Sequence, residues 1–232
     1  MQSLTVVLIP GMLSDAWIFH AQIEALRARG AIHVPDLTSA SSLTDMAHKV
    51  LDETSGPLAV AGHSMGGRVA FEMVRIAPER IDRLAGISTG LDSPHPAEPE
   101  KRAKLVEIAR TQGMEALAAQ VLVPTMHPDS ARDQRLVREL TQMVARATPE
   151  IFERQQNALL GRPDPAASIG DVRCPTAFIC GRDDRWTPPK QHEALHALVP
   201  DSTLTLVGTC GHLPLVEQPH VVNAVLEAWL DR

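Results

Sequence analysis

The feature of this sequence that most constrains its fold is the alternation of short apolar runs with longer amphipathic segments. Runs rich in Val, Ile and Leu are typical of strands buried on both faces of a parallel sheet; they cover residues 4–9, 31–34, 58–61, 84–87, 176–180 and 203–207. Segments with apolar residues every three or four positions indicate helices; these cover residues 17–29, 43–54, 65–77, 189–198 and 220–230. The alternation predicts an α/β protein with a doubly wound, mostly parallel sheet of about six strands.

One long stretch, residues 91–165, interrupts this alternation. It contains no convincing strand pattern, and the prolines within 94–99 lead into several helical patterns. The clearest apolar stripe in these patterns consists of Leu136, Val137, Leu140, Met143, Val144 and Ala147. We therefore expect a helical lid at 91–165, inserted into a core formed by 1–90 and 166–232.

Size and charge narrow the range of partners. The 232 residues suffice for one large domain. Twenty-two basic and 28 acidic residues give a net charge of −6, which argues against a general affinity for phosphate backbones or anionic lipids. No apolar run approaches the ~20 residues of a spanning helix, and the N-terminus lacks the features of a signal peptide. We expect a cytoplasmic protein that binds neither nucleic acid nor membrane; no oligomeric state is indicated.

Metal and cofactor motifs are weak in this chain. The three cysteines, an odd number at unrelated spacings, are typical of buried thiols in a reducing compartment. His192 and His196 match the H-E-x-x-H pattern of zinc enzymes, with Glu217 as a candidate third ligand. However, that helix lies between two predicted sheet strands, and its apolar residues favour a packing role. We therefore expect no metal, and nothing resembles a nucleotide- or flavin-binding motif.

A candidate nucleophile lies at residues 62–67, whose sequence is Gly-His-Ser-Met-Gly-Gly. This segment follows an apolar run directly and precedes a helical pattern, which is the setting in which a G-x-S-x-G motif is meaningful. The glycines allow a sharp turn, so Ser64 is expected to be accessible beside a helix N-terminus that favours a developing anion. The alternative is an ordinary N-cap serine in a glycine-rich turn.

A serine nucleophile needs a base that is itself oriented by a carboxylate. Two loops that follow predicted strands supply candidates: 181–188 contains Asp183 and Asp184, and the later loop contains His212. The other nine histidines precede the acidic loop or fall in or at the start of helical patterns. His212 is therefore the candidate base, and either aspartate remains a candidate acid.

Several motifs in order resemble the α/β-hydrolase superfamily over most of the chain. They lie at residues 8–12, 62–67, 77–81, 174–176, 181–188 and 211–212, together with Glu217 and Pro219. The resemblance implies a serine esterase-like enzyme with Ser64 as nucleophile and His212 as base. It favours Asp184 as acid, because the family's acid normally stands three residues after the glycine that ends the strand. Asp183 and Asp92 are the alternatives.

The resemblance also implies an oxyanion hole formed by the backbone N–H groups of Met12 and Met65. Pro10-Gly11 stands where relatives often have His-Gly, which keeps the backbone donor but removes an imidazole from the pocket wall. In a second departure, the chain starts almost at its first predicted strand. We therefore expect an α/β-hydrolase fold that lacks the N-terminal antiparallel hairpin.

The expected reaction is hydrolysis of a carboxylic ester of a small, largely apolar substrate through an acyl-enzyme, with no metal or cofactor. Alternatives on the same scaffold are lactone or carbon–carbon bond hydrolysis, lyase chemistry and perhydrolysis, and a non-catalytic ligand receptor is the alternative outside enzymes. Apolar residues near the expected site are candidates for its pocket, although those in the lid equally suit a core: Leu13, Met126, Phe152, Trp186 and Leu213.

Overall fold

A parallel sheet forms the centre of the computed structural model, which describes residues 4–164, 169, 170 and 172–232. Its strands are β1 (Thr5–Ile9), β2 (Ala31–His33), β3 (Leu58–His63), β4 (Ile81–Ile87), β5 (Thr176–Gly181) and β6 (Thr203–Val207). The six strands are hydrogen-bonded in the order β2-β1-β3-β4-β5-β6, and every neighbouring pair is parallel. The predicted α/β fold class is confirmed.

Helices connect most of these strands. They are α1 (His20–Leu26), α2 (Leu43–Glu53), α3 (Met65–Ile76), α4 (Glu98–Gln112), α5 (Met114–Leu117), α6 (Gln134–Ala145), α7 (Pro149–Leu160), α8 (Pro189–Leu198), α9 (Pro214–Glu217) and α10 (Pro219–Leu230). Short 3-10 turns lie at Ala16–Phe19, Pro78–Arg80, Val123–Thr125 and Ser130–Arg132, and a π-helical turn lies at Ala118–Leu122. Among the described residues, no helix is both long and apolar enough to cross a bilayer.

The sheet has a separate apolar core on each face. Along β1, Val6 and Leu8 belong to one core and Val7 and Ile9 to the other, as the two-residue period of a strand requires. Apolar side chains of α1 and α10 complete the first core, and those of α2, α3 and α8 complete the second. Covering both faces explains why a central strand such as β3 is buried along its whole length.

The segment between β4 and β5 contains helices α4 to α7 and, where it is described, no strand. Leu140, Met143 and Val144 of the predicted stripe are buried in the same apolar core as Val6 and Leu8 of β1. The inserted helices therefore pack on the sheet's own core. The predicted end of the insertion, residue 165, lies outside the described residues.

Candidate active site

Ser64 lies in the sharp turn between β3 and α3. Its φ of 54° and ψ of −115° are unfavourable for a residue with a side chain. Two hydrogen bonds hold the turn: Ser64 N donates to the carbonyl oxygen of Ile87 at 2.9 Å, and the hydroxyl of Thr89 donates to the carbonyl oxygen of Ser64 at 2.9 Å. The turn is thus anchored to the end of β4.

Two glycines allow the chain to pass this closely through the turn. A Cβ on Gly62 would lie 2.2 Å from the carbonyl oxygen of Gly66, and a Cβ on Gly66 would lie 2.2 Å from the carbonyl oxygen of Ile9. Backbone atoms cannot yield to such contacts, so both positions require glycine. The local sequence therefore forces Ser64 to the carboxyl end of the sheet.

His212 and Asp184 complete a hydrogen-bonded chain with Ser64. His212 Nε2 lies 3.0 Å from Ser64 Oγ, and His212 Nδ1 lies 3.0 Å and 2.9 Å from the two carboxylate oxygens of Asp184. The Asp184 carboxylate also accepts hydrogen bonds from the N–H groups of Trp186 and Thr187, each at 2.9 Å, and from the Thr187 hydroxyl at 2.8 Å. His212 and Asp184 are both buried.

The surroundings keep Asp184 ionised. Burial has the largest single effect and raises its pKa, but the hydrogen bond and charge of His212 and the donors of Thr187 together lower the pKa from 3.8 to about 2. An ionised carboxylate accepts the Nδ1 proton of His212. With that proton on Nδ1, His212 Nε2 is the ring nitrogen that can accept the proton of the Ser64 hydroxyl.

The two alternative acids lie apart from His212. The N–H of Asp183 donates to the carbonyl oxygen of Cys210 at 2.9 Å, and its carboxylate lies 3.8 Å from His127 Nε2. Asp92 forms ion pairs with Arg68 and Arg162. Of the three candidate aspartates, the structure brings Asp184 to the histidine.

A single carboxylate organises the loop that carries His212. Glu217 accepts hydrogen bonds from the N–H groups of Gly211 at 3.1 Å and Leu213 at 2.9 Å, on either side of the histidine, and from the N–H of His127 at 2.7 Å. Sequence reasoning placed Glu217 in the resemblance and among zinc candidates, but missed this role. Its position five residues after the histidine was the available signal.

We expect Glu217→Gln to lower the free energy of unfolding by about 1–3 kcal/mol, because an amide cannot accept all of these N–H bonds. The ester turnover proposed below should fall with it, since His212 loses a fixed position. Chemical denaturation and steady-state kinetics measure the two effects. Glu193→Gln, an exposed glutamate on α8, is the matched control; equal stability of the two variants would contradict the assigned role.

His63 supports the same loop from below. It is buried, and its Nε2 donates to the carbonyl oxygen of His212 at 2.9 Å. Burial is the main cause that lowers the pKa of His63 to about 3, so this imidazole is neutral. A Cβ on Gly11 would lie 2.9 Å from His63 Nδ1, which explains the glycine before Met12.

The two histidines of the H-E-x-x-H pattern have separate protein partners. His192 is buried, and its Nε2 accepts the N–H of Thr89 at 3.0 Å; His196 Nδ1 lies 2.7 Å from the hydroxyl oxygen of Ser202. Burial lowers the pKa of His192 to about 4. Across the described ranges, no group of three or more His, Cys, Asp or Glu side chains is placed to hold a metal ion. His192 instead fixes the loop that anchors Ser64.

A cavity of about 460 Å³, here called the Ser64 cavity, opens at this site. Ser64, His212 and the two predicted oxyanion residues, Met12 and Met65, all line it. Met65 is the first residue of α3, where backbone N–H groups have no acceptor within the helix. The remaining lining residues are Arg68, Thr89, Asp92, Glu98, Lys101, Arg102, Leu105, Gln156, Leu159, Arg162, Arg185, Trp186 and Thr187.

The five apolar side chains predicted to line the pocket fall into two groups in the structure. Trp186 does line the Ser64 cavity, and its ring centroid lies 5.1 Å from that of His212. The other four predicted residues, Leu13, Met126, Phe152 and Leu213, are buried in an apolar core and are not among the residues that line the cavity. From the sequence, the spacing of apolar residues could not distinguish residues that line the cavity from residues that are buried in the core.

The fold and this site together agree with the protein family that the sequence matches. The chain belongs to the alpha/beta hydrolase family, whose model matches residues 6–225. Among similar proteins of named activity is the pimeloyl-[acyl-carrier protein] methyl ester esterase of Nitrosomonas europaea, 26% identical over 96% of this chain and 94% of that protein. A 2-hydroxy-6-oxononadienedioate/2-hydroxy-6-oxononatrienedioate hydrolase of Cupriavidus pinatubonensis is 28% identical over 74% of this chain and 61% of that protein.

Solved structures show the same architecture. A thermophilic esterase from Thermogutta terrifontis, with malate bound, matches with a TM-score of 0.88 and 26% identity, over 99% of this chain and 90% of that chain. The enol-lactonase of Burkholderia xenovorans matches with a TM-score of 0.85 and 19% identity, over 100% of this chain and 93% of that chain; at this identity the match shows the fold alone.

Proposed function

We propose that this hydrolase is a carboxylesterase acting on small-molecule esters through an acyl-enzyme on Ser64. The observation that carries the proposal is the hydrogen-bonded chain from Asp184 through His212 to Ser64 Oγ at the wall of the Ser64 cavity. Its members are a nucleophile, a general base and a carboxylate that orients the base, which are the parts that acyl transfer requires.

In the first half-reaction, Ser64 Oγ attacks the ester carbonyl carbon while His212 Nε2 takes the hydroxyl proton. Asp184 stabilises the resulting imidazolium, and the N–H groups of Met12 and Met65 donate to the oxyanion. His212 then gives the proton to the leaving alcohol as the carbon–oxygen bond breaks. Water attacks the acyl-enzyme with His212 as base again, which releases the acid and restores the Ser64 hydroxyl.

The inserted segment, residues 91–165, acts in this proposal as a lid that shapes the substrate pocket. The support is that α4 contributes Arg102 and Leu105 to the wall of the Ser64 cavity, and α7 contributes Gln156 and Leu159. A lid at this place excludes water from the reacting ester and sets substrate preference.

The relatives support an ester substrate and supply a second candidate. The pimeloyl-[acyl-carrier protein] methyl ester esterase, matched over nearly its whole length, cleaves an ester by its name. The 2-hydroxy-6-oxononadienedioate hydrolase makes hydrolysis of such an oxo acid the second candidate, although this chain spans only 61% of that relative.

A substrate panel tests the proposal. We expect p-nitrophenyl acetate and butyrate to be hydrolysed with kcat/KM on the order of 10⁴ M⁻¹s⁻¹ or more, and lactones and 2-hydroxy-6-oxo-dienoates to be poorer substrates. Release of p-nitrophenol and loss of dienoate absorbance are the readouts. Faster turnover of the oxo acids would support the second candidate, and no turnover of any compound would favour a ligand receptor.

A further inference from the structure

The wall of the Ser64 cavity carries more positive than negative charge. Five cationic side chains, here called the cation cluster, line it: Arg68, Lys101, Arg102, Arg162 and Arg185. Asp92 and Glu98 are the two carboxylates among the lining residues. The chain as a whole has a net charge of −6, so the excess charge on this wall is opposite in sign to the charge of the whole chain. A largely apolar substrate, as expected from the sequence, does not explain it.

The two carboxylates are already shared between arginines. Arg162 donates to both carboxylate oxygens of Glu98, at 2.7 Å and 2.8 Å, and to Asp92 Oδ2 at 3.1 Å. Arg68 donates to Asp92 Oδ1 at 2.5 Å, and Arg102 Nε donates to Glu98 at 3.1 Å. The hydrogen bond from Arg162 is the main cause that lowers the pKa of Glu98 to about 2. Both carboxylates are therefore hydrogen-bonded to arginines of the cation cluster and hold these side chains together.

Other donors on this wall have no acceptor in the part of the chain that the structure describes. Lys101 and Arg185 are exposed, and neither has an ion-pair partner in the part of the chain that the structure describes. Gln156 is 1% exposed; its Oε1 accepts from Arg102, but its Nε2 has no partner among the described residues. Buried N–H donors are rarely left unpaired in proteins. The wall thus provides cationic and N–H donors in excess of its own acceptors.

Part of the cavity wall is apolar. Met12, Met65, Leu105, Leu159 and Trp186 contribute this part. The cationic part begins close to the nucleophile, because Arg68 follows Ser64 by four residues on α3. That spacing is about 6 Å along a helix axis. A cavity wall with both apolar and cationic parts fits a short acyl chain that carries a terminal anion.

We propose that the substrate is an ester whose acyl chain ends in a free carboxylate, that is, a half-ester of a short dicarboxylic acid. Arg68, Lys101 and Arg185 of the cation cluster bind the carboxylate, while Asp92 and Glu98 hold Arg68, Arg162 and Arg102 in place. The inference rests on the proposed ester hydrolysis and specifies its substrate class. A charge-assisted hydrogen bond of this kind gives a preference of about tenfold to a hundredfold.

Matched esters test the inference. The methyl half-esters of succinic, glutaric, adipic and pimelic acids are compared with the methyl esters of the corresponding monoamides, which have the same length and no charge. We expect kcat/KM to be about tenfold to a hundredfold higher for the carboxylate at one chain length, and this ratio to fall with added salt. Equal rates, or faster turnover of the amides, would overturn the inference.

Variants locate the carboxylate site. Arg68→Gln should lower the carboxylate-to-amide ratio about tenfold, and Lys101→Gln and Arg185→Gln should each lower it by a smaller factor. Arg68 also pairs with Asp92, so the thermal stability of the Arg68→Gln variant is measured in parallel. Lys101 and Arg185 are exposed and have no ion-pair partner among the described residues. Lys104→Gln is the control, because Lys104 lies on α4, the helix that carries Lys101, and pairs with Glu100 outside the cavity. A ratio unchanged in all three cavity variants would contradict the assignment.

Two measurements separate this inference from the proposed function. Calorimetry with the Ser64→Ala protein measures how tightly the half-ester and its amide bind, and kinetics with the unmodified protein measure ester turnover. If no ester is turned over but the half-ester still binds more tightly than its amide, the carboxylate site stands and ester hydrolysis fails. If esters are turned over but the half-ester shows no binding advantage, ester hydrolysis stands and the carboxylate site fails.

Discussion

Ser64→Ala is expected to reduce kcat/KM for p-nitrophenyl acetate by about 10⁴- to 10⁶-fold, because no other group in the account forms the acyl-enzyme. The hydroxyl donates to His212 Nε2 at 3.0 Å and faces the Ser64 cavity. Its removal should therefore leave the unfolding transition nearly unchanged. Steady-state hydrolysis and thermal unfolding are measured on the same preparation.

Ser41→Ala is the matched control for this experiment. Ser41 is exposed, and its hydroxyl bonds Asp45 away from the cavity. Full activity in Ser41→Ala together with loss in Ser64→Ala assigns the chemistry to one serine. Undiminished activity in folded Ser64→Ala would remove Ser64 from the mechanism.

Asp184→Asn is expected to lower kcat by about 10²- to 10⁴-fold. The amide nitrogen would face His212 Nδ1 as a donor, so the imidazole would carry its proton on Nε2 and could no longer accept from Ser64. Asp183→Asn is the natural control, since it changes the same atoms one residue away. That carboxylate lies near His127 instead, so we expect less than a threefold effect, a factor worth about 0.65 kcal/mol.

The pH range of this effect follows from the lowered pKa of Asp184. The pKa falls from 3.8 to about 2 on folding, so the ionised form stabilises the folded state above about pH 4, and this stabilisation is lost as pH falls towards 2. Measurements between pH 6 and 8 therefore compare an ionised carboxylate with an amide. Equal losses in the two aspartate variants would contradict the choice of Asp184.

The sheet was predictable because its signals are local. Fully buried parallel strands are continuous apolar runs, and β5, which is buried along its whole length, starts at its predicted residue and ends one residue beyond its predicted end. β4 starts at Ile81, three residues before its predicted start; Asp82 is exposed and Arg83 is half-buried, so these two residues interrupt the apolar run. These polar residues hide the strand from a hydrophobic pattern.

Within the site, the position of Ser64 was predictable because a single turn determines it. Gly62 and Gly66 force the position of Ser64 from within a single motif. Choosing between Asp183 and Asp184 needed family spacing, since both follow the same strand. The cation cluster could not be predicted, because Arg68, Arg102 and Arg162 are far apart in the sequence and meet only through the packing of the inserted helices.

The most direct test of the central claim is to identify the covalent intermediate. The protein is mixed with p-nitrophenyl acetate, quenched in acid within milliseconds, digested and analysed by mass spectrometry. We expect one added acetyl group on the peptide that contains Ser64, formed together with a burst of p-nitrophenol and absent from Ser64→Ala. Hydrolysis that proceeds with no acetylated peptide, or with the acetyl group on another residue, would contradict it.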